Sequence, residues 1–368
     1  MTKLKSRSHE PLVHITKRTS MVWWKSWIIR ACAIVAALIV CALVIVLLTG
    51  INPIEVYGAM IKGTFKTSRT IWITVQNVAM LLCISLAVTP AFKMRYWNLG
   101  AEGQVLIGGL AAAACLVNLS GKLSTPLIIL ISFISSMVCG MIWAIIPAVF
   151  KAKWGTNETL FTLMMNYVAI QLVSYFIVLW ENPKGSAKVG IINQATQEGW
   201  IPTIFGQKYL FNILVVALVT VMMFIYLKYS KHGYEISVVG QSENTARYIG
   251  INVKKVIIRT VAVSGALCGL AGLLLVSGTN HTISTDTAGG QGFTAIIVSW
   301  LAKFNPLVMM LTSFLIIFLQ RGAGEIATTF RLSESVSDIL TGIILFFIIG
   351  CEFFITYELH FRKSHKEG

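Results

Sequence analysis

The chain has 368 residues, 56% of them hydrophobic and only 12% charged, and its mean hydropathy is +0.75. That balance excludes an ordinary soluble globule and describes an integral membrane protein. The formal net charge of +15 concentrates beside apolar runs, the pattern that orients spans during insertion, and so gives no case for a nucleic-acid partner.

Most apolar runs reach about 20 residues, enough for a helix to cross a hydrocarbon core of roughly 30 Å, and they lack the alternation of a membrane barrel. The expected fold is an all-α polytopic membrane protein with eight to ten transmembrane helices. Residues 1–26 read as a basic cytoplasmic tail with Lys3, Lys5, Arg7, Lys17, Arg18 and Lys25, closed by Trp23, Trp24 and Trp27 at the level of an interfacial belt. The next run is longer than a signal-peptide core and has no clean small-residue exit, so it is expected to stay as the first span. Spans are expected at 27–49, 70–91, 100–118, 126–150, 157–180, 209–229, 258–278, 289–302, 305–320 and 335–356. The one at 289–302 is too short to cross straight and reads as broken or re-entrant.

The transmembrane domain therefore covers 27–356, followed by a second basic cytoplasmic tail at 357–368. An even count of spans puts both termini inside, in agreement with KMR at 93–95 and KAK at 151–153. Lys62, Lys66 and Arg69 fall on the wrong side, which an amphipathic interfacial helix would reconcile. The longest external loop, 181–208, is either a docking surface or a solvated connector.

Several polar islands interrupt the spans. WNLGAEGQ places Asn98, Glu102 and Gln104 at the start of an apolar helix, where an ionisable group is costly unless it lines water or finds a partner. Two readings stay open: contact with a transported solute, or a hydrogen-bond network that orders the bundle. In the next island Thr156 or Asn157 suits an N-cap with Glu158 in the first turn, whereas Asn166 lies two turns deeper and must bond across to another helix or face a pore. Between two spans, the segment 234–256 turns polar. Ser242 suits an N-cap and Gly250 a left-handed stop, so 243–249 reads as a two-turn helix with Ala246, Arg247 and Tyr248 forming a knob-like surface. Gly265, Gly269 and Gly272 recur at spacings of four and three, the pattern of close helix packing in lipid. His281 and Asp286 read either as a gate or as an external turn.

Cys32, Cys41, Cys83, Cys115, Cys139, Cys268 and Cys351 show no metal-ligand spacing and fall mostly in apolar runs. No phosphate-binding G-x-x-x-x-G-K-[ST] loop, H-E-x-x-H pair or G-x-S-x-G elbow occurs, so no catalytic residues and no metal site are expected.

The strings NLGAEGQ at 98–104, TNETLFTLMMNYVA at 156–169 and VVGQSENTARYIGINVKK at 238–255, followed by SGALCGLAGLLL, resemble the permease subunits of ATP-binding-cassette importers in the ribose and branched-chain branch. Within that branch the first two strings are most similar to nucleoside-uptake permeases served by a BmpA-type lipoprotein. The second-half segment GGQGFTAIIVSWLAKFNP at 289–306 departs from the family pattern, which shows a more alanine-rich helix and a glycine near Lys303. The resemblance implies a substrate pathway near Asn98, Glu102, Gln104, Asn157 and Asn166, and a coupling helix at Gly240, Ala246, Arg247, Tyr248 and Gly250. It implies no cofactor in this chain, with ATP and magnesium held by a partner ATPase. It also implies a second permease chain, copy or paralogue, an extracellular substrate-binding lipoprotein and a bacterial plasma-membrane location. A ribose or other monosaccharide permease is the alternative within the class, and a secondary transporter is the alternative outside it.

Overall fold

The computed structural model describes residues 13–18 and 22–361; the expected tail residues 1–12, 19–21 and 362–368 lie outside the described residues. Thirteen α-helices follow in chain order: α1 (Trp23–Thr49), α2 (Pro53–Phe65), α3 (Ser68–Lys93), α4 (Ala101–Leu119), α5 (Thr125–Trp154), α6 (Glu158–Trp180), α7 (Leu210–Tyr229), α8 (Lys231–Gln241), α9 (Glu243–Tyr248), α10 (Val253–Leu275), α11 (Gln291–Leu301), α12 (Pro306–Thr329) and α13 (Glu334–Thr356). A π-helical turn, Val276–Asn280, extends α10, and two short strands, β1 (Val13–Lys17) and β2 (Tyr357–Phe361), complete the described chain. Among the described residues nine helices are long and apolar enough to cross a membrane.

The chain forms two compact units, residues 1–63 with 319–368, and residues 64–318. In the first, α1 and α13 pack side by side, and Arg30 donates to the Glu352 carboxylate from Nε at 3.0 Å and Nη2 at 2.5 Å. Removing a guanidinium from water is costly, and this pairing offsets the cost where the helices meet. β1 and β2 pair antiparallel from Val13 opposite Phe361 to Lys17 opposite Tyr357. The two stretches expected as free tails are thus partly structured, because a strand that pairs satisfies backbone groups that a tail leaves to water. Between the first two long spans lies the helix α2, which packs where Gly322 leaves room for Met60 and Gly63 for Glu325.

The second unit is organised around α10, its most buried span. Gly269 lies so close to α5 and α4 that a β-carbon there would overlap the Ser136 carbonyl, and one at Gly108 would overlap Gly269 itself. Gly265 meets Gly140 and Ala144 in the same way, and Gly272 meets Val105 and Gly109. In lipid no hydrophobic force drives helices together, so close backbone approach along a small-residue seam holds this three-helix core. Gly265, Gly269 and Gly272 all lie on this seam.

Between α10 and α12 the chain crosses in two pieces. The His281 carbonyl is held by the outer loop through Ile192 N at 2.8 Å, Gly290 meets Glu102 inside the bundle, and Trp300 stacks on Trp97 beside the end of α3. An irregular stretch followed by the short α11 therefore completes one crossing, as its length led one to expect. α12 starts at Pro306 as expected but runs to Thr329, past the expected end at 320.

Candidate functional site

An internal helix start is a liability in a membrane, because its first N–H groups lack intrahelical partners and find no water. α4 begins inside the bundle and α11 begins at its edge, from exposed Gly290 to buried Gly292, and each is capped by a side chain from another helix. Asn166 of α6 accepts from Gly103 N at 2.8 Å through Oδ1 and donates to the Leu99 carbonyl at 2.8 Å through Nδ2, clamping the first turn of α4. Glu102 of α4 accepts from Gly290 N and Gly292 N, each at 2.8 Å, and so caps α11. Asn98 closes the set: Oδ1 accepts from Gly100 N and Gln104 Nε2, both at 3.1 Å, while Nδ2 donates to Ser264 Oγ at 3.3 Å. Leu99 N donates to Thr162 Oγ1 at 3.1 Å.

Asn98, Glu102, Gln104 and Asn166 are brought together, and all four are buried. Their polar groups are taken up by other protein groups in this arrangement, as the network reading expects. Asn157 stands apart from them, its side chain accepting from Leu160 N at 3.1 Å as the N-cap of α6. Thr162 and Ser264, which complete the network, were missed by sequence reasoning; Thr162 sits one helical turn before Asn166, and that spacing is the signal that could have found it.

A second polar cluster was also missed. Gln76 Nε2 donates to Thr279 Oγ1 at 2.7 Å and Asn212 Nδ2 donates to the same hydroxyl at 3.3 Å, at the π-helical turn. Among the described residues both amide oxygens, Gln76 Oε1 and Asn212 Oδ1, accept no hydrogen bond.

The polar segment between α7 and α10 folds into two helices, not one. Ser230 caps α8 through Gly233 N at 3.0 Å, Ser242 caps α9 through Thr245 N at 3.2 Å, and Asn252 caps α10 through Lys255 N at 3.1 Å. Gly250 has φ +84°, the left-handed stop expected of it. The expected knob is corrected in part. Ala246 is fully buried, packed with Ile236, Val239 and Val253, whereas Tyr248 is 91% exposed and Arg247 pairs only with Glu243, one turn back, at 3.2 Å. Gly240 is buried too, because a side chain there would overlap the Lys93 carbonyl. A six-residue helix must lean on something, and Ala246 is the face by which α9 leans on its own domain. Arg259 of α10 anchors the start of the segment through Glu235 of α8 at 2.7 Å and holds that carboxyl below the usual carboxylate range.

At the opposite end the loop 181–208 folds back over the helices. Glu198 accepts from Ser120 Oγ at 2.5 Å and Gly121 N at 2.6 Å, which keeps its carboxyl below the usual range. Trp200 stacks on His281 at 3.8 Å, and Ser277 Oγ donates to the Gly199 carbonyl at 2.6 Å. Burial, followed by the charge of Lys208, pushes the His281 imidazole below its ordinary pKa. Asp286 lies exposed in a separate turn, so the two residues form no gate pair here. The loop tip carries Phe205, 92% exposed. Among the described residues no group of three His, Cys, Asp or Glu side chains could hold a metal ion.

This arrangement, a helical bundle with broken internal helices and a capped two-helix elbow, is that of a membrane permease. The family model described as branched-chain amino acid transport system / permease component matches residues 68–349, and the chain belongs to that family. It is similar to a glucose ABC transporter permease protein of Haloferax volcanii, 26% identical over 94% of this chain and 93% of the relative. It is similar also to a guanosine ABC transporter permease protein of Bacillus subtilis, 28% identical over 88% of this chain and 92% of the relative. A nucleoside ABC transporter permease protein of Lactococcus lactis subsp. cremoris is 27% identical over 88% of this chain and 90% of its own length.

Proposed function

We propose that this chain is the transmembrane subunit of an ATP-binding-cassette importer that carries nucleosides across a bacterial plasma membrane. The observation that supports it most is near full-length similarity to two permeases named for guanosine and nucleosides. The glucose permease among the relatives keeps a monosaccharide as the second reading. ATP and magnesium belong to a separate cassette ATPase, which meets the exposed face of α8 and α9 around Arg247 and Tyr248. Gly240, Ala246 and Gly250 act behind that face, by seating α9 on the bundle. A second permease chain and an extracellular binding lipoprotein complete the assembly, with both termini cytoplasmic. The trans-capped starts of α4 and α11 keep the broken segments in register while two packings of the bundle alternate.

Purifying the tagged chain from its native membrane and measuring ATPase activity with added nucleosides tests this. A copurifying cassette ATPase stimulated by nucleoside-loaded binding protein is expected. Stimulation by monosaccharides alone moves the solute assignment to the second reading. Recovery of the chain alone, with ion-gradient-driven uptake in vesicles, overturns the importer.

A further inference from the structure

A cavity of about 440 Å³ opens between the ends of α3, α7 and α8 and the turn before α12, lined by Lys93, Lys228, Tyr234, Ser237 and Asn305 among others. Two cations converge there without an anion. Lys93 is half-buried at the end of a span, and its one side-chain hydrogen bond among the described residues is a long 3.5 Å contact to the Leu227 carbonyl. Lys228 stands over the Phe224 and Tyr229 rings at 5.2 Å and 5.4 Å. Neither forms an ion pair among the described residues, and no carboxylate lines the cavity. The nearest acid on α8, Glu235, is already taken by Arg259. An ammonium group withdrawn from water beside a second cation is unfavourable unless an anion joins them.

The surroundings say which anion. At this end of the bundle the exposed Trp97 and Trp300 stack on each other and Phe304 meets Trp300 edge-on, and tryptophans so placed are the signature of the headgroup level. Away from the cavity, Leu218 and Val221 continue the helical face of Phe224 and Lys228 along α7, and Met310 and Phe314 continue that of Pro306 along α12; all four are exposed. A basic pocket that opens onto apolar helix faces matches a ligand with an anionic head and hydrocarbon tails. We infer that this cavity binds the phosphate of an anionic phospholipid headgroup, with Lys93 and Lys228 as its counter-ions and the acyl chains laid along α7 and α12.

The test uses the full chain purified in detergent, with phosphatidylglycerol, phosphatidylcholine or inorganic phosphate as probe and thermal unfolding and native mass spectrometry as readouts. Phosphatidylglycerol is expected to bind and protect in preference to phosphatidylcholine, and Lys228→Gln to weaken it about fivefold, the effect of one lysine near an anionic surface. Lys93→Gln together with Lys228→Gln abolishes the preference, whereas Lys122→Gln, in the loop at the other end of α4, leaves it intact. Because Lys228 is exposed, its single variant decides the matter even if the double variant does not fold. Equal binding of the two lipids, or a preference that survives Lys228→Gln unchanged, overturns the site. Protection by inorganic phosphate equal to that by phosphatidylglycerol overturns the lipid assignment and makes the cavity a soluble-anion site. Loss of bound phosphatidylglycerol when a copurifying ATPase is present likewise overturns it, in favour of an acidic protein surface.

Discussion

The island at 98–104 and the island at 242–250 look alike in the sequence, each a polar stretch between apolar spans, but the structure uses them in opposite directions. In the first, Asn98, Glu102 and Gln104 turn inward and their polar groups pair with other protein groups. In the second, Ala246 turns inward while Tyr248 and Arg247 face out. Polarity inside a bundle marks where backbone groups need partners, and polarity outside it marks what is left for other molecules. Substitutions in the first island should therefore damage the fold, and substitutions in the second should spare it.

The largest effect is expected behind both islands, in the glycine seam. Gly269→Leu drives a side chain into the backbone of α4 and α5 and should cost about 3 kcal/mol or more, enough to remove the protein from the membrane fraction. Glu102→Leu strands the buried Gly292 N–H and the more exposed Gly290 N–H at the start of α11 and should lower stability by about 2 kcal/mol, whereas Glu102→Gln keeps one acceptor and should lose about half of that. Asn166→Leu leaves Gly103 N and the Leu99 carbonyl unpaired, with an expected loss of about 2 kcal/mol. Thermal unfolding of the purified chain reads each of these. Arg247→Glu with Tyr248→Ala should change stability by no more than about 0.5 kcal/mol, since both side chains are exposed, while abolishing retention of the proposed ATPase. Ala246→Trp belongs with the first group, because it overfills a buried position.

The smallest effect is a pH dependence at the opposite end. Glu198 is held below the usual carboxylate range, so its contribution is present above the unfolded carboxyl's pKa and is lost as pH falls through the lower folded value. His281 is also lowered, so its protonation is resisted by the fold and adds a destabilising contribution as pH drops below about 6.5. Both signs agree: acid should loosen the loop at 181–208. Limited proteolysis across pH checks this, and Glu198→Gln should flatten the lower part of the profile.

The span order was legible because each run of apolar residues is long enough to commit to a helix, and even the short α11 announced itself by length. Caps at Asn157, Ser242 and Gly250 were legible for the same local reason: the side chain or φ that ends a helix acts within four residues. What the sequence hid is the direction in which a residue faces. Nothing within a few residues of Ala246 says that it meets Ile236 and Val253, or that Asn166 reaches across to Gly103, 63 positions earlier. The β1–β2 ladder, which pairs residues more than 300 positions apart, was hidden likewise. The helix α8 was missed because its start at Ser230 and Lys231 lies against the end of α7, with no loop residue between.

The most direct test compares Asn166→Leu with the pair Arg247→Glu and Tyr248→Ala, measuring thermal unfolding and partner retention on the same preparations. The expected result is a lowered unfolding temperature with partner retained per folded molecule for Asn166→Leu, and an unchanged unfolding temperature with partner lost for the pair. An Asn166→Leu protein as stable as the original but unable to take up solute would contradict the account, placing Asn166 in the solute's path and not in the frame that holds it.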